Sequence, residues 1–166
     1  MSGSMVLETL RAVRFFDGIP EGEHQRIAAL GRLEEYEPED VIFREGQRRG
    51  CIFVLTEGSV GLDIRVPEHG GRWFQTVSPG GLLGWSPVLG EPPLTATARA
   101  LTACRLVALD VAGLLALCQS EPRFGFTFMR RIARAVAERL NATRAQLLAA
   151  YGEYLPNVAG IHEGAD

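Results

Sequence analysis

Ile52-Phe53-Val54-Leu55-Thr56-Glu57-Gly58-Ser59-Val60 carries an apolar β-type run into a glycine turn and out into a second run that reaches Val66. Apolar and β-branched residues bounded by a turn glycine are the mark of a hairpin. Outward from this hairpin the same character extends from about Leu33 to Leu109, with a further short run at Val41-Ile42-Phe43. Turn residues punctuate it at Gly46, Gly50, Gly58, Gly70-Gly71, Pro79-Gly80-Gly81 and Gly90. Short strands with turn signals at this rhythm predict a roll or barrel built from hairpins. Strands do not alternate with helices, which argues against a parallel α/β sheet.

Helical patterns flank the sheet region. Apolar residues at Val6, Leu7, Leu10, Val13 and Phe16 predict one amphipathic helix stopped by Gly18 and Pro20. A second short helix is expected from about Gly22 to Leu30, with Ile27, Ala28 and Leu30 inward and Gly31 closing it. After Asp110, Val111, Leu114, Leu115 and Leu117 predict a short helix ending near Gln119. Ser120 is the expected cap of the next helix, and Pro122 lies in its first turn, where a missing N–H costs little. Its stripe of Met129, Ile132, Val136 and Leu140 continues through Leu147 and Ala150 until Gly152 and Pro156 end it. Such a helix spans about 45 Å, longer than a small roll needs. Residues 6–151 therefore form one domain, with the long helix at about 121–151 and a frayed tail at 152–166. Met1-Ser2-Gly3-Ser4-Met5 reads as a tag remnant ahead of the helical pattern.

Totals narrow the function. A chain of 166 residues at 46% hydrophobic can bury one real core. Seventeen basic against twenty acidic residues leave a formal charge of −3, which argues mildly against direct nucleic-acid binding. Cys51, Cys104 and Cys118 have neither CxxC nor metal spacing and read as core residues in a reducing, cytoplasmic setting. No apolar run is long enough for a membrane span, and no signal core opens the chain. His24, His69 and His162 are scattered, and no nucleophile motif is present, so neither an enzyme nor a metal or cofactor site is expected.

Three strings carry a family resemblance. Glu39-Asp40-Val41-Ile42-Phe43-Arg44-Glu45-Gly46, the hairpin Ile52 to Val60, and Arg99 to Asp110 resemble successive segments of the cyclic nucleotide-binding domains of catabolite-activator-type regulators and kinase regulatory subunits. The resemblance covers about residues 10 to 150. It implies an α+β fold: an antiparallel β-roll, a jelly-roll-like double-stranded β-helix, with N-terminal helices and a long C-terminal helix. It also implies that a ligand would sit in a phosphate-binding cassette, here Gly80 to Thr97, and that the module is regulatory rather than catalytic.

Within that cassette the resemblance is incomplete. Gly84 matches the family's cassette glycine, but Trp85 stands where a ribose-binding glutamate is expected, followed by Ser86. Leu94 stands where a phosphate-binding arginine is expected, followed by Thr95, Ala96 and Thr97. Two charge-assisted contacts are thereby missing, which weakens a cyclic nucleotide by roughly two to four decades. Two outcomes stay open: a pocket reshaped for another small molecule, or one filled by its own side chains. Arg99 and Arg105 follow the cassette but read as solvent-facing strand residues.

Met129, Ile132, Val136, Leu140, Thr143 and Leu147 are the expected dimer-helix positions, making a homodimer the expected assembly. The family's transcription regulators carry a helix-turn-helix after this helix; only a short tail follows Tyr151, so direct DNA binding is not expected. Two functions remain from different classes. One is a sensor whose ligand shifts the dimer helix, and the other is a ligand-free module that recruits a protein partner.

Overall fold

The computed structural model describes residues 2–90 and 93–154. Helix α1 (Ser2–Arg11), a 3-10 turn (Arg14–Phe16) and α2 (Glu21–Ala29) lead into strands β1 (Gly31–Tyr36), β2 (Val41–Phe43), β3 (Cys51–Glu57), β4 (Val60–Val66), β5 (Gly70–Val77), β6 (Leu82–Leu83), β7 (Thr97–Ala100) and β8 (Cys104–Asp110). Helices α3 (Val111–Ser120) and α4 (Pro122–Tyr151) follow, with a 3-10 turn at Gly152–Tyr154. The strands form two four-stranded antiparallel sheets, β1-β8-β3-β6 and β2-β7-β4-β5. The first strand pairs with the eighth and the second with the seventh, so the chain is a long hairpin rolled on itself. This is the expected β-roll.

Side-chain alternation makes two cores from one sheet. On β3, Phe53 and Leu55 point into the roll beside Leu106 and Ala108 of β8. Ile52 and Val54 point the other way, beside Val107 and Leu109, onto the helices. Because both faces are covered, these strands are continuously apolar, as sequences buried on both sides must be. Gly58 makes the β3–β4 turn at φ +89°, and a Cβ there would lie 2.3 Å from the Ala103 carbonyl oxygen. Its place in the quoted hairpin is thus dictated by both angle and space.

The N-terminal helix departs from its predicted form. It begins at Ser2, ahead of the apolar pattern and through the residues set aside as a tag, and ends at Arg11 rather than Phe16. Phe16 instead turns inward from the 3-10 segment and is 1% exposed. The break sets the Phe15 ring edge-on against Phe128 of the long helix and the Phe16 ring beside Phe15 and His24. In α2, His24 joins the buried face and its Nδ1 pairs with the Ile19 carbonyl oxygen at 2.9 Å.

Helix α4 has the predicted length, but Glu121 occupies its cap position and makes no side-chain cap bond. The Ser120 hydroxyl donates backward to the Leu117 carbonyl at 3.2 Å, finishing α3 rather than starting α4. The corner is tight: a Cβ at Gly125 would meet the Cys118 carbonyl oxygen at 2.6 Å. Further along, the Arg131 guanidinium donates to the carbonyls of Phe15 and Asp17 and ties α4 to the N-terminal turn. No helix among the described residues is long and apolar enough to cross a membrane. The tail beyond Tyr154 lies outside the described residues.

Candidate functional site: the cassette and the cleft beside it

Strand β6 sends Leu83 into the roll and Leu82 toward the helices, and the chain then turns at Gly84 with φ +69°. A Cβ at Gly84 would already touch the Phe53 and Phe43 rings at 3.4 and 3.5 Å, so the turn is pressed against the aromatic interior. Trp85 precedes a 3-10 turn, Ser86–Leu89, in which Ser86 is 6% exposed. Gly90 closes that turn at φ +110°. Glu91 and Pro92 lie outside the described residues. The chain then returns through Leu94, exposed Thr95, and half-buried Ala96 and Thr97 into β7.

Trp85 and Leu94 go to opposite sides. Leu94 is 3% exposed and belongs to the roll interior with Phe43, Phe53, Leu62, Val77 and Leu83. Its backbone is clamped twice: its N–H donates to Gln47 at 2.9 Å, and its carbonyl accepts from Gly46 at 2.7 Å. The glycine of the early resemblance string therefore sets the depth of the cassette. Trp85 packs instead against the helix-side core. Its indole lies on the helix side, whereas the aliphatic Leu94 side chain lies inside the roll.

Substitute charges are few. Arg49 holds its guanidinium carbon 5.2 Å from the Phe53 ring centroid, with Nη1 donating to the Ile42 carbonyl at 3.1 Å. Arg99 donates to the Glu39 carbonyl at 3.0 Å. Arg105 is held between Glu35 and Glu57 at 3.0 and 2.8 Å on the outer surface. Neither of the two arginines that follow the cassette is turned toward Leu94.

On the helix side of Trp85 a cleft of about 1140 Å³ opens between α1, the β5–β6 turn and α4. Its most unusual wall residue is Arg139 of α4. The guanidinium carbon lies 4.4 Å from the Trp85 ring centroid, and Nη2 donates to the Leu82 carbonyl at 3.1 Å. Burial pushes its pKa down to about 10, with no carboxylate contributing, so the group stays charged at neutral pH at a cost to the fold. Stacking on the indole offsets part of that cost. The only sequence signal was its spacing: it falls on the turn of α4 that passes the cassette, four residues after Ala135 on the inner face.

The dimer-helix positions also divide. Ile132 is 1% exposed and buried in its own chain's core, and Val136 is half-buried against it. Met129, Leu140 and Leu147 are 38%, 60% and 51% exposed, and Thr143 is exposed. Leu148 and Tyr151, which the sequence reading passed over, are also exposed. Among the described residues no group of His, Cys, Asp or Glu is placed to hold a metal ion. Burial raises the Cys118 thiol pKa, which disfavours the reactive thiolate.

Known proteins agree with this architecture. A Rhodopseudomonas palustris protein named as a potassium channel is 28% identical over 135 residues, 81% of this chain and 32% of its own length. The CRP-like cAMP-activated global transcriptional regulator of Mycobacterium tuberculosis is 25% identical over 146 residues, 85% of this chain and 62% of its own length. The chain thus spans less than two thirds of either relative. A cyclic nucleotide-binding domain from Methylobacillus flagellatus superposes with a TM-score of 0.76 at 16% identity, covering 94% of this chain and 86% of that one. The sequence profile described as the cyclic nucleotide-binding domain matches residues 33–121, just over half of the chain, from β1 to the end of α3. Eight strands rolled in this order, a cassette between β6 and β7, and that match together place the protein in the cyclic nucleotide-binding domain family.

Proposed function

We propose that this chain is a non-catalytic sensor module that has lost the usual grip on cAMP and cGMP and responds to a different small molecule. The observation that carries the reading is Leu94: an aliphatic side chain lies buried in the roll where relatives are expected to offer a guanidinium. An anionic phosphate placed against it would lose its water and gain no cation. Titration calorimetry with cAMP and with cGMP is expected to give dissociation constants weaker than about 100 μM. Micromolar binding of either nucleotide overturns the reading.

The output of the module is assigned to α4 as a homodimer seam. Met129, Ala133, Val136, Leu140, Thr143 and Leu147 alternate spacings of four and three, the repeat of a two-stranded coiled coil. Ile132 is replaced in this seam by Ala133, because its side chain is spent on the intramolecular core. Leu140→Glu with Leu147→Glu, or truncation after Asn141, is expected to convert a dimer to a monomer in sedimentation velocity. An unchanged dimer removes α4 as the seam. Ligand binding would act by favouring one arrangement of the cassette against α4, and only to the extent of its differential affinity for the two.

The packed roll interior around Leu94 favours a second reading, a ligand-free dimeric module that recruits another protein. Under it no small molecule stabilises the chain, whereas the dimer test gives the same outcome.

A further inference from the structure

We propose that the cleft between α1, the β5–β6 turn and α4 is the ligand site, and that it takes a small amphoteric acid whose carboxylate meets Arg139 and whose N–H or O–H meets Gln75. The inference deepens the sensor reading above and rests on it.

Two orphaned polar atoms point to this chemistry. Among the described residues, Arg139 Nε, Gln75 Oε1 and His24 Nε2 are the buried side-chain atoms without a hydrogen-bond partner. The first two belong to residues that line this one cleft. Buried polar atoms are almost always satisfied, so an unmet donor and an unmet acceptor in one cleft mark groups awaiting partners. Arg139 needs an anion, because its fork of donors meets only the Leu82 carbonyl and its positive charge no carboxylate. Gln75 needs a donor.

Two other arginines of the wall are already committed, while Arg14 and Arg134 are exposed to water. Arg131 is bonded to the Phe15 and Asp17 carbonyls, and Arg105 to Glu35 and Glu57. Glu8 and Glu138 also border the cleft. An amino or hydroxy acid finds Arg139 for its carboxylate and the Gln75 Oε1 for its N–H or O–H, with glutamates on the same wall. Amides of the same size lack the carboxylate that Arg139 answers.

Arg139 is also where binding becomes a signal. Its guanidinium joins α4 to the Leu82 carbonyl and the Trp85 face, so a carboxylate competing for it alters the contact between cassette and long helix.

The chain's two tryptophans are Trp73, which is exposed, and Trp85, which makes the test direct. In a Trp73→Phe background all indole fluorescence comes from Trp85. Glycine, L-serine, L-glutamate, L-lactate and L-malate are titrated to about 10 mM, with glycinamide and lactamide as controls that lack the carboxylate. At least one acid is expected to give a saturable change in Trp85 emission that the two amides do not. Adding Arg139→Gln should weaken that acid about tenfold or more, and adding Gln75→Met should weaken it by a smaller factor. Circular dichroism of each variant checks folding, and Gln75→Met keeps the comparison available if Arg139→Gln unfolds. No saturable response to any of the acids, or equal responses to acid and amide, overturns the cleft assignment. Micromolar cAMP or cGMP in the calorimetric experiment instead overturns the sensor reading beneath it, so the two failures are distinguishable.

Discussion

Leu94→Arg is expected to lower the unfolding free energy by about 3 kcal/mol in buffer and to recover part of that loss when cAMP is added. The loss follows from position. Leu94 is 3% exposed among Phe43, Phe53 and Leu83, and its backbone is clamped by Gly46 and Gln47, so a guanidinium there has no easy route to water. For a domain of this size the thermal midpoint should fall by about 6 to 12 °C. A cyclic phosphate supplies the missing counter-charge, and one recovered charge-assisted contact corresponds to about one to two decades in affinity. Adding Trp85→Glu should contribute little more, because the new carboxylate would lie beside Arg139, now 4.4 Å from the indole, and would pair outward. Differential scanning calorimetry with and without nucleotide checks both halves. A variant as stable as the parent and indifferent to cAMP would show that Leu94 does not occupy the phosphate position.

A larger loss is expected from Phe128→Ala, about 3 to 5 kcal/mol and roughly 10 °C or more in midpoint. Phe128 is 1% exposed; its ring meets Phe15 edge-on at 5.9 Å and stacks on Phe124 at 5.6 Å. One turn later Arg131 reaches the carbonyls of Phe15 and Asp17. The ring therefore joins the long helix to the N-terminal turn, and its loss leaves a void that flanking backbone, held by those bonds, cannot easily fill. Phe126, two residues earlier, is 70% exposed, and Phe126→Ala should change stability by less than about 0.5 kcal/mol. Urea unfolding of the pair measures the difference. Equal midpoints would mean that α4 is not anchored through Phe128.

The turns and strands were legible because their causes are local. Gly58 had to be a glycine at φ +89° beside the Ala103 carbonyl, and the runs at 41–43 and 60–66 were found at those bounds. The presence of Trp85 and Leu94 in the cassette was legible as well, since position in a motif requires no coordinates. Less visible was the direction of each side chain. Trp85 and Leu94 read as neighbours in one pocket, yet one faces the helices and the other the roll. Arg139 was hidden among six arginines of α4 whose periodicity does not say which of them passes a cleft.

By itself the sequence determined the helical and strand-rich segments and their order, because periods of two and of 3.6 residues and turn glycines act over a few residues. Tertiary structure alone decided that β1 pairs with β8, from Gly31 with Leu109 to Tyr36 with Cys104, that Ile132 belongs to its own chain's core, and that Arg139 is half-buried against Trp85. Those outcomes depend on which distant surfaces compete for the same face, and burial is settled only when the whole roll and both of its helical layers close together.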